Sequence, residues 1–255
     1  MAKRVCLFCG KNNEMSNEHV LPQWLLEALG IRKDTFKMLH SYLTIELNKR
    51  QHNLENLVNG RVCKECNNGW MSSLESRVKD ILLNIIYLND ISFIRQLNNN
   101  DDIIRDDLIK WCYKTAIVLN NASNYRELVP IEHFRKLFLE KSIPHNVTIN
   151  MGLCMESDVT WVQSQQLFII NNDVDVQQLL NGNSLKNLYK ITMQIGHFLF
   201  KVIFFPQKHY IDYSNPIVEL HPEYCLHTNS SKKRKEGDIF YKDIHSFDFE
   251  TIYVL

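Results

Sequence analysis

Two cysteine pairs carry the most specific chemistry in this sequence. Cys6 and Cys9 stand in "CLFCG", and Cys63 and Cys66 stand in "CKECNNGW". A thiolate pair at this spacing grips one Zn²⁺ from a tight knuckle, and two pairs complete a tetrahedral four-sulfur site. Gly10 directly follows the first pair, and the second opens a polar stretch ahead of a helical pattern. The alternative, two redox or core dithiols, lacks the βαβ context such motifs need. The 53 residues between Cys9 and Cys63 are too many for a compact zinc ribbon. Zinc would instead close a long loop and staple a domain too small to bury enough core by itself.

A second candidate lies between the pairs, at Glu18-His19-Val20-Leu21-Pro22. A carboxylate can hold a metal and an imidazole can hold a water. On a regular strand their side chains point to opposite faces. A strand end or bulge can bring both to one site. Alone, a Glu-His pair more often lies on a surface.

Taken together, C-x-x-C, E-H-V-x-P and C-x-x-C-N resemble the HNH endonuclease family over roughly residues 3 to 80. The resemblance implies a ββα-metal finger stapled by a four-cysteine zinc site. His19 would be the general base that takes a proton from water. Its ordinary pKa of about 6.5 suits that task. Glu18 would bind a catalytic Mg²⁺ or Mn²⁺, and Asn67 would supply a second ligand through its amide oxygen. A middle asparagine would orient the histidine ring. Asn59, four residues before Cys63, is favoured over Asn56, although "NG" at 59 to 60 also reads as a turn. Asn68 is a helix cap or the alternative ligand, and Glu75 is a spare carboxylate. The sequence departs from the pattern where glutamate replaces the usual aspartate, and where Trp70 stands near the usual lysine. Trp70 is expected to pack the helix on the zinc knuckle.

The elements that must position these residues give an α+β reading. The N-terminal zinc-stabilised ββα-metal (HNH) finger, residues 1–80, would be followed by a helical plus antiparallel-sheet domain, residues 81–255. "PQWLLEALG" reads as a short helix, with proline at its start and glycine at its stop. "FKMLHSYLTIEL" is a strand or a hairpin arm. Leu74, Val78, Ile81, Leu82, Ile85 and Leu88 fall on one helical face. "QLNNNDD" breaks the pattern at 96 to 102. Ile104, Leu108, Trp111, Cys112, Thr115 and Leu119 mark a second long helix, and residues 131 to 140 a shorter one. "HNVTINMGLC", "VTWVQSQQLFII" and "YKITMQIGHFLFKVIFF" are β-branched and aromatic, as strands are. "DVQQLLNGNSLKN" reads as a helical turn and "NSSKKRKEGD" as an exposed basic loop.

Composition narrows the function classes. With 29 basic and 29 acidic residues the chain is formally neutral, so it is no electrostatic sponge for nucleic acid. Residues 1 to 80 hold 12 Lys and Arg against 9 Asp and Glu, a mild excess that permits a nucleic-acid surface there. No apolar run is long enough for a membrane span. The N-terminus has no apolar segment of the secretory kind. Together with an odd cysteine count, this points to a reducing cytoplasm. Cys112, Cys154 and Cys225 read as small buried hydrophobes. His197 reads as a core histidine, and His221 and His227 flank Cys225 without enough ligands for a second metal.

The function expected is a metal-dependent endonuclease hydrolysing phosphodiester bonds, with DNA the first candidate and a restriction-like or phage-defence effector as its setting. Residues 81–255 are left to recognition, regulation or oligomerisation, with a homo-oligomer or a regulatory partner as the candidates. The alternative is a zinc-held nucleic-acid-binding or interaction module without cleavage.

Overall fold

A computed structural model describes residues 4–42, 45–88, 102–122, 128–164, 168–170, 188–204, 210–213, 218–221, 240–249 and 251–254. The chain divides into two compact units. Residues 1–36 and 51–144 form the first, and residues 37–50 and 145–255 the second.

The first unit is built on a two-stranded antiparallel sheet. Strand β1 (Met15–His19) pairs with β4 (Val58–Cys63), in the register Met15↔Cys63 to His19↔Val58. Helix α1 (Gln23–Ala28) begins after Pro22 and is stopped by Gly30, whose φ of +69° suits a residue without Cβ. After β4 a short turn (Lys64–Cys66) runs through a π-helical segment (Asn67–Met71) into helix α2 (Ser72–Leu88). Leu74, Val78, Ile81, Leu82 and Ile85 are buried on α2, as their spacing predicts. Each such side chain contributes about 1.5–3 kcal/mol when removed from water. Helices α3 (Asp102–Ala122) and α4 (Ile131–Leu139) complete this unit. The expected boundary at residue 80 therefore falls inside α2, and the helices up to 144 belong with the cysteine-bearing strands. The cause is burial. Residues 111 to 120 of α3 are buried all round, a state that no single helix reaches without neighbours.

The second unit takes two strands from the Cys9–Cys63 loop. Most of β2 (Thr35–Tyr42) and β3 (Ile45–Asn53) belongs to it. Its six-stranded sheet centres on β5 (Val147–Ser164), one long strand where the sequence suggested two. A register shift between Leu153 and Asp158 bends β5 without ending it. Opposite that shift, Gly196 of β7 (Tyr189–Phe204) takes φ +63°. The sheet is mixed and not purely antiparallel: β7 and β9 (Val218–His221) pair antiparallel with β5, while β2 and β10 (Phe240–Tyr241) pair parallel. A smaller mixed sheet joins β6 (Phe168–Ile170), β11 (Thr251–Val254) and β8 (Tyr210–Tyr213). Helix α5 (Ile244–Phe249) packs Ile244 and Phe247 onto Leu39, Cys154, Val162 and Leu199. The readings for 96–101, 175–187 and 229–238, with Cys225 and His227, fall outside the described residues. His221 is described in its backbone alone.

Candidate functional site

The four cysteines converge. The Sγ atoms of Cys6, Cys9, Cys63 and Cys66 all lie within 4.8 Å of one another, and Cys9 Sγ is 3.7 Å from Cys63 Sγ. A tetrahedron with Zn–S bonds of about 2.3 Å has edges of about 3.8 Å. The donor set therefore fits a structural zinc. Among the described residues it is the one such cluster of His, Cys, Asp or Glu.

Local structure explains the convergence. In the first knuckle Gly10 N–H bonds Cys6 O at 3.0 Å, and Cys6 N–H bonds Lys11 O at 3.0 Å. The second knuckle is held to the first by Leu7 N–H to Arg61 O at 3.0 Å and Cys63 N–H to Cys6 Sγ at 3.4 Å. The crowded sulfurs share charge unevenly. A hydrogen bond from Cys66 holds the Cys6 thiol down to about 4, while the same contact drives the Cys66 thiol far up. Burial raises Cys63. Phe8 meets Trp70 edge-on at 5.2 Å and Phe134 at 5.4 Å, so Trp70 does pack on the zinc knuckle.

Gly10 is required twice. Its φ is +74°, and a Cβ there would lie 1.8 Å from Arg135 Nη1. Arg135 crosses the knuckle to donate to Leu7 O at 2.9 Å. Gly10→Ala should cost about 1–3 kcal/mol of stability from backbone strain alone. It should also weaken zinc retention, read by thermal melting and by competition with a chromophoric chelator. An unchanged melting temperature would show that the knuckle does not need this conformation.

At the other end of β1, Glu18 lies opposite Asn59, and a register shift separates this pair from Ser16↔Val62. Glu18 is 4% exposed and Asn59 2%. The Glu18 carboxylate meets Lys114 of α3, with Nζ to Oε1 at 3.6 Å. The same ammonium lies 2.7 Å from Glu75 Oε1 on α2. Lys114 has no exposed surface. Burial pushes the Glu18 carboxyl up, against the pull of Lys114 and with the help of Glu75. Burial also pulls Lys114 down, but the two carboxylates outweigh it and its pKa ends above the ordinary value.

His19 is half-buried. Its Nε2 lies 2.9 Å from Gln23 Nε2, while Nδ1 is turned inward without a hydrogen-bond partner. Burial, then Arg32, lowers its pKa, and Glu75 opposes them. The imidazole is therefore neutral at neutral pH.

The asparagines take other parts than the resemblance implies. The Asn59 amide donates to Val118 O at 3.1 Å and Asn121 Oδ1 at 3.2 Å, and its Oδ1 accepts Arg61 N–H at 2.9 Å. It ties β4 to α3, and the contact to the His19 ring comes from Gln23. Asn56 closes a 3-10 turn, Leu54–Asn56. Asn67 directs its Nδ2 to Ser16 Oγ at 3.2 Å, and Asn68 is exposed. The π-helical segment they occupy has a break at Gly69, a feature frequent at functional sites.

The expected Glu18–Asn67 donor set does not fit a catalytic divalent cation in this arrangement. One ligand already faces an ammonium and the other turns its amide hydrogens to Ser16. Lys114 and Gln23 escaped the sequence reading. Lys114 had a signal: it is the lone charge in the apolar run Trp111–Leu119. Gln23 had a weaker one, its place four residues after His19.

No helix among the described residues is long and apolar enough to cross a membrane. No protein-family model, curated protein or solved structure matches the chain.

Proposed function

We propose that the first unit is a nuclease of the HNH type, cleaving phosphodiester bonds in nucleic acid, with DNA as the first substrate to test. The observation that carries this reading is His19: a neutral imidazole at the end of β1, Nε2 reachable beside Gln23, on a strand pair stapled by four cysteines and followed by a helix. His19 Nε2 takes the proton of the attacking water as its oxygen bonds phosphorus; the bond from phosphorus to the leaving sugar oxygen breaks, and solvent protonates that oxygen. Gln23, whose amide rests on that nitrogen, is the group that a water or phosphate replaces. The Arg32 charge is felt at the ring, and it is shared with Glu27 at 3.5 Å and Glu55 at 3.7 Å, partners that a phosphate oxygen would compete with. Zinc, held by Cys6, Cys9, Cys63 and Cys66, is structural.

The test is nicking of supercoiled plasmid by zinc-loaded protein, with Mg²⁺, with Mn²⁺ and with neither, wild type beside His19→Ala. Loss of a general base lowers the rate by about 10²–10⁴-fold. The fold should persist, since His19 is only half-buried. A base must be deprotonated to act, so activity rises with pH through the His19 pKa. The midpoint of that rise should fall below the ordinary 6.5, because burial and Arg32 lower it. Equal cleavage by His19→Ala would sink the assignment. The Lys114 contact to Glu18 favours a second reading, a nucleic-acid-binding module without cleavage. It predicts a mobility shift with intact plasmid.

A further inference from the structure

A carboxylate pair reaching in from a strand end and a helix start is the kind of donor set a hard divalent cation takes, in company with water. Here a cation already stands between the two. Lys114 Nζ is 2.7 Å from Glu75 Oε1 and 3.6 Å from Glu18 Oε1, and its side chain is fully buried. Helix α3 brings it there from an apolar stretch in which no other residue is charged. Burying an ammonium is costly unless it is paired, so its place on this face is matched to the two carboxylates. Asn67, the other expected ligand, donates from Nδ2 to Ser16 Oγ at 3.2 Å.

We propose that Lys114 stands where a divalent cation would: the chain's own ammonium serves the Glu18–Glu75 pair, and the pair takes up no Mg²⁺ or Mn²⁺ while Lys114 is present. Lys114 is then a positioning residue. It is sealed from solvent and touches no substrate. It holds Glu18 inward, and with it the end of β1 that carries His19. This inference does not rest on the nuclease reading, because it concerns cation uptake and needs no turnover.

The experiment titrates Mn²⁺ into the zinc-loaded full chain, following the loss of the free-ion electron paramagnetic resonance signal and the heat of binding. The four cysteines are soft ligands that keep zinc in preference to Mn²⁺. Wild type should take up no Mn²⁺ in the sub-millimolar range. Lys114→Ala should bind one Mn²⁺, at least tenfold more tightly than wild type, and Glu18→Gln/Lys114→Ala should lose it. One Mn²⁺ bound by wild type and lost in Glu18→Gln overturns the proposal. A folded Lys114→Ala that binds none overturns it as well. Should Lys114→Ala fail to fold, wild type and Glu18→Gln decide alone: an ion that depends on Glu18 refutes the proposal, and no uptake by either upholds it.

Discussion

Cys66→Ser is expected to strip the protein of zinc and unfold its first unit. A structural zinc contributes an apparent binding free energy of about 10–16 kcal/mol, as large as the roughly 5–15 kcal/mol total stability of a typical domain. Removing one thiolate of four forfeits most of it. At the knuckles themselves only the Phe8, Trp70 and Phe134 rings stand in for it, although the helices bury apolar side chains of their own. The β1–β4 pair has two strands, and an isolated two-stranded hairpin is marginal at best in water. The first knuckle reaches β4 through Leu7 N–H to Arg61 O and Cys63 N–H to Cys6 Sγ. Without metal the gathered sulfurs cannot all be thiolates, which is why Cys6 is held down as Cys66 is driven up. Elemental analysis should fall from one zinc per chain to none, with loss of the cooperative melting transition of the first unit. One retained equivalent of zinc would show that Cys66 is not a ligand.

The cysteine cluster was legible because its information is local and chemical. Two short spacings specify two knuckles, and four thiolates want one ion wherever the chain brings them. The helical faces were legible for a similar reason: the 3.6-residue period of Leu74, Val78, Ile81, Leu82 and Ile85 states which side is buried. Long-range pairing left no such trace. Nothing in "FKMLHSYLTIEL" says that β2 pairs parallel with β5, across more than a hundred residues. Nor does the local pattern show that the loop between the cysteine pairs contributes strands to the second unit.

Glu18 and Asn59 show the limit most clearly. Their residue types are those expected at a hydrolytic site. Their partners, Lys114, Val118 and Asn121, come from a helix that sequence reasoning had assigned to another domain. A side chain's role depends on what faces it, and here the facing element lies some sixty to a hundred residues away. The surviving sequence signal was the anomaly of a lysine in an apolar stripe. Buried charges are rare without partners, so such a lysine points to carboxylates elsewhere in the chain.

The second unit contains a buried ion pair that should respond strongly to mutation. Lys190 and Asp248 are 2% and 1% exposed, with Nζ 3.0 Å from Oδ2. Lys190 Nζ also donates to Asp248 O at 2.7 Å, and Thr192 Oγ1 donates to Asp248 Oδ1 at 2.5 Å. One residue earlier, Lys201 Nζ donates to Phe247 O at 2.7 Å and lies 4.6 Å from the centre of the Phe247 ring. Two ammonium groups from β7 thus meet the last carbonyls of α5, where positive charge is favoured. Asp248→Ala leaves the Lys190 charge buried without its counter-ion, and breaking such a pair on one side costs about 3–5 kcal/mol. Asp248→Asn keeps a side-chain acceptor for Thr192 and should cost less. Lys190→Met/Asp248→Leu removes both charges together and should recover most of the loss, because neither partner is then stranded. Denaturant unfolding of the four proteins measures this directly. If Asp248→Ala shifts stability by less than about 0.5 kcal/mol, the size of an ordinary surface substitution, α5 is anchored by Phe247 and Ile244 in the apolar core and not by its charges.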